Sequence, residues 1–346
     1  MDAKRVGVAI AFLRKRAGYT QKDLADRIGI TDKAVSKWER GLGLPDIVYL
    51  GKLAILLDTD VASLLAGDVV QHDSEWQGVI VLDKNSYSIG AQTIIYDKPL
   101  VYFLLSYFLL VGIRKIIVLC TPEEKTYLDQ TLEDGKRFGI RLYTCAGTLK
   151  DMLQSNVIEG NNIMMVYGRC FLYGVDQTRF FQKAMVNRER LTIMALPRKH
   201  KQTNSRLLMD INKKVVNSNK DEPLRTQYDY SKIPILFFPA NLLTDMAKEM
   251  DVATFVSKFT ANKELYVEML DRGFVEIEVN TWDDVQEAAM FTKIVQDNCG
   301  MIIYCLEEVA WRRGMITKVE LLEQGVKQQD TEYGQYILNI CNRKII

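Results

Sequence analysis

The chain reads as multidomain: an all-α domain of five short helices built on a helix-turn-helix, followed by an α/β domain with a mixed, mostly parallel, doubly wound sheet. Three observations predict this. Residues 20–41, TQKDLADRIGITDKAVSKWERG, carry helix caps and apolar positions at helical spacing on both sides of a glycine. From Trp76 onward the pattern changes to short apolar runs separated by helical stretches. The 346 residues, 48% of them apolar and 26% charged, suit at least two globular domains.

In order, the first helix runs from about Lys4 to Ala17 and stops at Gly18, with Phe12 and Leu13 as core contacts. Thr20 is a good N-cap, and Asp23 three residues on completes a near capping box. Leu24, Ala25 and Ile28 form one apolar face, and Gly29 supplies the positive φ that a sharp exit needs. Thr31 caps the next helix, whose inner side is Ala34, Val35 and Trp38, and Gly41 ends it. Pro45 falls near the first turn of a fourth helix with the stripe Ile47, Leu50, Leu53, Ala54 and Leu57. Val61, Leu64 and Leu65 mark a fifth. The first domain is therefore read as 1–67, and the polar, unpatterned 68–76 as a linker. The second domain, 77–346, opens with buried-type strands at 78–82, 115–120, 141–145, 162–168, 191–196 and 233–238. Helices are read at 100–111, 122–135 and 176–187, a strand at 274–279, and a C-terminal helical segment over about 282–346.

Composition narrows the function. The two histidines, His72 and His200, argue against a histidine-based zinc site or Ser-His chemistry. The six cysteines lie far apart with no CxxC pair, the usage of reduced thiols. No export signal opens the chain and no apolar run is long enough to span a bilayer, so the expected location is cytoplasmic. Residues 1–67 carry a net charge of +3 and the remainder −2, which puts the basic excess on the segment with the helix-turn-helix.

The layout QKDLA, GI and TDKAVSKWERG resembles the Cro/repressor family, from about Val6 to Gly67. The resemblance implies that Arg14 and Glu39 form an ion pair between the first and third helices. It also implies that Asp32, Lys33, Ser36 and Lys37 face the DNA major groove, where Lys33 and Lys37 reach guanine edges or phosphates. Gln21 and Thr31, at helix N-termini, then meet phosphate, and Arg40 adds a backbone contact. The expected partner is a double-stranded DNA operator, bound by a homodimer or homotetramer.

The run YDKPLVYFLLSYFLLVGIRKIIVLCTPEE, with NIMMVYGRCFLYG, RGFVEIEVNTWDD, CLEEVAWRRGMI and EYGQYIL after it, resembles the sugar-1-phosphate nucleotidyltransferases, specifically the glucose-1-phosphate thymidylyltransferases. This implies a Rossmann-like α/β fold over nearly all of 77–346. The departures are as informative as the likeness. The family's phosphate-binding GGxGTRL loop is replaced by LDKNSYSIGAQ, with Lys84 and Arg114 as poor substitutes, and its GLAQA substrate segment by GTLKDML. Arg169 stands where the family's first Mg²⁺-binding Asp belongs, and Glu278 where the second does. One carboxylate with a cation is a poor Mg²⁺ site. Arg169 either pairs with Glu278 in place of the ion, contacts a ligand phosphate, or fills an unused cleft.

The family's second, regulatory nucleotide site maps onto Tyr173, Gly174, Arg272, Glu308, Val309 and Arg312, all of the expected type. Two arginines there suit a diphosphate, whereas Gly174 and Val309 also suit plain packing. The expectation is a DNA-binding transcriptional regulator with a catalytically degenerate nucleotidyltransferase-like domain. That domain oligomerises and senses a nucleotide or nucleotide sugar, without metal or cofactor. The alternative is an active sugar-1-phosphate nucleotidyltransferase, using Mg²⁺, with an attached regulatory DNA-binding domain.

Overall fold

The structure is a computed structural model that describes residues 2–57, 59, 61–67, 75–82, 89–197, 206–209, 228–249, 251–262 and 265–342. It opens with five helices: α1 (Ala3–Arg16), α2 (Gln21–Ile28), α3 (Asp32–Glu39), α4 (Ile47–Leu56) and α5 (Val61–Ala66). The caps do what their residue types demand. Thr20 and Asp23 close a full capping box on α2, Gly29 leaves it at φ 88°, and the Thr31 side chain caps α3. Val6, Ile10, Leu13, Leu24, Ala25, Ile28, Val35, Trp38, Leu50 and Leu53 form the shared core. Pro45 stands directly before the N-cap Asp46, near the first turn of α4 as expected. One detail differs from the sequence reading: Ile47 is 80% exposed, because α4 turns its first residue away from the core.

The α/β part runs β1 (Trp76–Val81), β2 (Ile94–Ile95), β3 (Lys98–Pro99), α6 (Leu100–Leu110), β4 (Lys115–Cys120), α7 (Pro122–Leu132), β5 (Arg141–Ala146), α8 (Leu149–Gln154), β6 (Asn162–Tyr167), β7 (Cys170–Tyr173) and α9 (Gln177–Val186). It continues with β8 (Thr192–Pro197), β9 (Arg206–Met209), β10 (Tyr228–Pro239), α10 (Leu242–Met246), α11 (Val252–Asn262), β11 (Tyr266–Met269), β12 (Val275–Glu278) and α12 (Trp282–Cys299). Trp76, read as the last linker residue, is the first residue of β1 and fully buried; 68–74 lie outside the described residues.

Among the described residues the main sheet has the order β11-β8-β10-β6-β1-β4-β5, with β9 on β10. β6, β1, β4 and β5 pair in parallel, as do β11 and β8, while β10 runs antiparallel to its neighbours. Pro234 lies in β10 where its register against β8 shifts between Ile233 and Leu236, the irregular kind of position that tolerates a missing N–H. One face of the sheet packs Val79, Ile117, Ile163, Met165, Ile193 and Phe238 against residues of α8, α10 and α11. The other is covered by α6, which is apolar all round because it is buried all round. Gly78 permits that contact: a Cβ there would lie 2.7 Å from the Phe108 ring.

Three further helices follow, α13 (Leu306–Arg312), α14 (Lys318–Lys327) and α15 (Glu332–Asn342). The chain forms two compact units, and the division departs from the one read in the sequence. The sheet and its helices, through Ile303, make one. The other joins the N-terminal helices to residues 137–139 and to the C-terminal helices from Tyr304, which the sequence assigned to the second domain. Two glycines permit close approaches within this unit. A Cβ on Gly314 would stand 2.6 Å from Phe12 Cζ, and one on Gly139 would stand 2.3 Å from the Met315 carbonyl oxygen. Both glycines have positive φ, so both close approaches need a residue without a side chain.

Candidate functional site

The residues expected to read DNA lie on and beside α2 and α3. Asp32, Lys33, Lys37 and Arg40 are exposed, and Ser36 is half-exposed beside them. Asp32 Oδ1 accepts from the Lys33 amide at 2.8 Å, which fixes that carboxylate at the start of α3. The Lys37 stem runs along Gly43, and Arg40 Nε donates to the Ser36 carbonyl oxygen at 3.3 Å. Thr31 is exposed at the helix N-terminus, where its Oγ1 accepts from the Ala34 amide. Gln21 is held differently: its Nε2 donates to Glu39 Oε2 at 2.7 Å. Glu39 also takes Arg14 Nε at 2.5 Å and Nη2 at 3.1 Å, and Arg14 Nη1 donates to the Tyr19 carbonyl oxygen. The expected Arg14–Glu39 pair is therefore bidentate and buried. It locks α1 to α3 and ties Gln21 into the same network.

A second site lies where β1, β4 and β6 end, the usual ligand crevice of such a sheet. Here β6 gives way to Gly168, at φ 75°, and Arg169; the Gly168 amide donates to the Val81 carbonyl oxygen. Arg169 is 6% exposed, and its Nη2 stands 4.0 Å from Glu124 Oε1. Glu124 is itself buried. Its Oε2 accepts from the Thr121 amide and its Oε1 from the Ala91 amide, each at 3.1 Å. Arg169, which the resemblance aligns with a metal-binding position, thus meets a carboxylate from the capping box of α7. Glu278 sits across the β7–β12 ladder, opposite Cys170, and the Val279 amide donates to the Arg169 carbonyl oxygen. Burial, and then the Glu278 carboxylate, raise the Tyr167 phenol above its ordinary range. Burial, and then Glu124, push the Cys120 thiol up to about 12.

This donor set does not fit Mg²⁺. At the position where the resemblance calls for the first carboxylate stands a buried guanidinium, which cannot ligate a cation. The surrounding segments are committed elsewhere. Gly147–Leu153 is spent on capping α8 through Thr148 and Asp151. Arg114 precedes β4, so it lies at the opposite end of that strand, roughly 20 Å from Thr121 at the strand rise per residue. Lys84 falls outside the described residues. Sequence reasoning passed over Glu124, although the signal was present: TPEE after a buried strand is a capping box, and its Glu must lie at the strand's carboxyl end.

The regulatory-type positions fall in both units. In the sheet unit, Tyr173 packs edge-on to Phe291 with centroids 5.6 Å apart, and burial, then Cys299, raises its phenol. Gly174 serves packing, because a Cβ would lie 2.3 Å from the Phe274 ring. Arg272 is exposed. In the other unit, Val309 is half-buried and Arg312 exposed, while Glu308 is buried. Glu308 is also fully engaged: Arg312 Nε donates to its Oε1 at 2.8 Å and the Tyr336 hydroxyl to its Oε2 at 2.5 Å. A parallel bond from Tyr333 to Glu307, at 2.6 Å, fastens α15 to α13 a second time.

Comparison with known proteins agrees with both halves. The helix-turn-helix family matches residues 10–64, and the nucleotidyl transferase family matches residues 90–297. Glucose-1-phosphate thymidylyltransferase from Neisseria gonorrhoeae is 29% identical over 263 residues, covering 72% of this chain and 91% of that enzyme. The enzyme of the same name from Mycolicibacterium smegmatis is 27% identical over 267 residues, with the same shares. A solved structure from Bacillus anthracis with sucrose, provisionally described as a glucose-1-phosphate thymidylyltransferase, aligns over 62% of this chain and 94% of its own. Its identity is 11% and its TM-score 0.48. With its second family matched over more than half its length, the chain belongs to the nucleotidyl transferase family, carrying a helix-turn-helix DNA-binding domain fused at its N-terminus.

Proposed function

We propose that this chain is a DNA-binding transcriptional regulator whose nucleotidyltransferase domain has lost catalysis and retains ligand sensing and oligomerisation. The observation that carries this reading is Arg169, buried beside Glu124 where the family resemblance calls for a metal-binding carboxylate. Phosphoryl chemistry on a nucleoside triphosphate needs a divalent ion to offset the charge that develops. A guanidinium sealed by an internal carboxylate cannot ligate that ion. The same cation, if Glu124 releases it, suits a phosphate of a nucleotide or nucleotide sugar. Arg272 and Arg312, each exposed within its own unit, each suit a phosphate in the same way. Two DNA-binding heads on a homodimer or homotetramer then match a pseudo-palindromic operator.

Family membership favours a second reading, an active sugar-1-phosphate nucleotidyltransferase that uses Mg²⁺ and regulates through its attached helices. One assay separates the two. The purified chain is incubated with each nucleoside triphosphate, glucose-1-phosphate and Mg²⁺, and pyrophosphate release is followed. The expected result is release at the no-enzyme rate, with dTDP-type nucleotides or nucleotide sugars raising the melting temperature. Turnover would overturn the regulator reading in favour of the enzyme. Silence in the thermal shift with every nucleotide and nucleotide sugar would remove the sensing half.

A further inference from the structure

The N-terminal helices and the C-terminal helices share one compact unit, and the Phe12 side chain packs between them. Phe12 leaves α1 on a side roughly 140° from Gly7 at 100° per residue. On the Gly7 side α1 lies against the end of α3: a Cβ on Gly7 would stand 2.1 Å from the Trp38 carbonyl oxygen, and one on Gly41 would stand 2.7 Å from Lys4 Cα. Arg14, on that same side, is bonded to Glu39 in α3. On its other side the Phe12 ring fills the notch left by Gly314, two residues past the end of α13. The turn that forms this notch is hydrogen-bonded back into α13, Gly314 to Trp311 and Met315 to Ala310.

We propose that Phe12 is a mechanical link between α13 and the recognition helix. Movement of α13 moves Gly314, Gly314 moves Phe12, and α1 passes the displacement to α3 through main-chain packing too close to absorb it. The helix that drives this carries Glu308 and Arg312, so a ligand that breaks their bond would act at the head of the chain of contacts. The link rests on the DNA-binding reading for its consequence. Coupling of this kind is reciprocal, so DNA on α3 must be felt at α13.

The test is amide hydrogen exchange on the intact protein. In the absence of DNA, Phe12→Ala should speed exchange of the Arg313, Gly314 and Met315 amides at least tenfold, and Phe12→Leu should do so less. Gly314→Ala, which pushes the ring out, should speed exchange in the last turn of α1. Unchanged rates at both ends would overturn the link whatever the chain binds. With a duplex selected by the protein from a random pool, those three amides should slow in the wild type and not in Phe12→Ala. Equal slowing in both, or none in the wild type, would overturn the proposal. Failure to select any duplex would instead count against the DNA-binding reading, while the DNA-free exchange still decides the link. Both proteins are compared at duplex concentrations that saturate binding, because Phe12 also packs against the core of the N-terminal helices.

Discussion

At the residue scale, the Arg14–Glu39 pair illustrates how little room the sequence leaves for error. Both side chains are less than a tenth exposed, and each donor of the Arg14 fork has an acceptor in reach. Removing one partner strands a buried charge, a change that costs about 3–5 kcal/mol in comparable pairs. Arg14→Ala should therefore lower the unfolding free energy by about 3 kcal/mol in urea titrations. The double change Arg14→Met with Glu39→Met should cost less than either single change to alanine. The pair was legible because both residues match a known layout. For Glu124 the capping box was legible but its partner was not, because Arg169 lies 45 positions later and only the sheet brings them together.

At the element scale, caps and periodicity carry most of the fold. Capping boxes at Thr20, Thr121, Thr148, Thr281 and Thr317 start helices where Thr is followed three residues on by Asp or Glu. The parallel strands β1, β4, β5, β6 and β8 follow from short apolar runs, each within two residues of the expected bounds. Short elements are different. β7 and β11, four residues each, are too brief to show a period and exist because a neighbour supplies their hydrogen bonds. Close helix-to-sheet contact gives a test at this scale. Gly78→Ala would drive a methyl group to within 2.7 Å of the Phe108 ring, so it should destabilise the sheet unit by about 1–3 kcal/mol in thermal unfolding. Pairing it with Phe108→Leu should recover part of that loss.

At the scale of the whole molecule, charge is segregated. The first 67 residues carry +3 and the rest −2, so the net attraction to a DNA backbone belongs to the head. Binding to duplex DNA should weaken steeply between about 50 and 200 mM salt, by a factor near 10³ for about six phosphate contacts. Lys33→Ala or Lys37→Ala should reduce the salt slope by about one if that lysine meets phosphate, or relax the preference at one base pair if it meets guanine. Fluorescence anisotropy on a selected duplex reads both. A salt-independent affinity would place the contact elsewhere on the chain.

The sequence by itself determined the two folds, their order, the helix-turn-helix and the positions where chemistry departs from the family. Those are set by local rules: spacing, caps, turn residues and motif order. Only the tertiary structure decided which partners the key side chains meet. It paired Arg169 with Glu124, bound Glu308 to Arg312 and Tyr336, and joined the C-terminal helices to the DNA-binding helices instead of to the sheet. The physical reason is the same in each case. A buried charge takes whichever partner folding brings near it, and a glycine without a side chain lets distant segments touch. Neither leaves a trace in the spacing of residues along the chain.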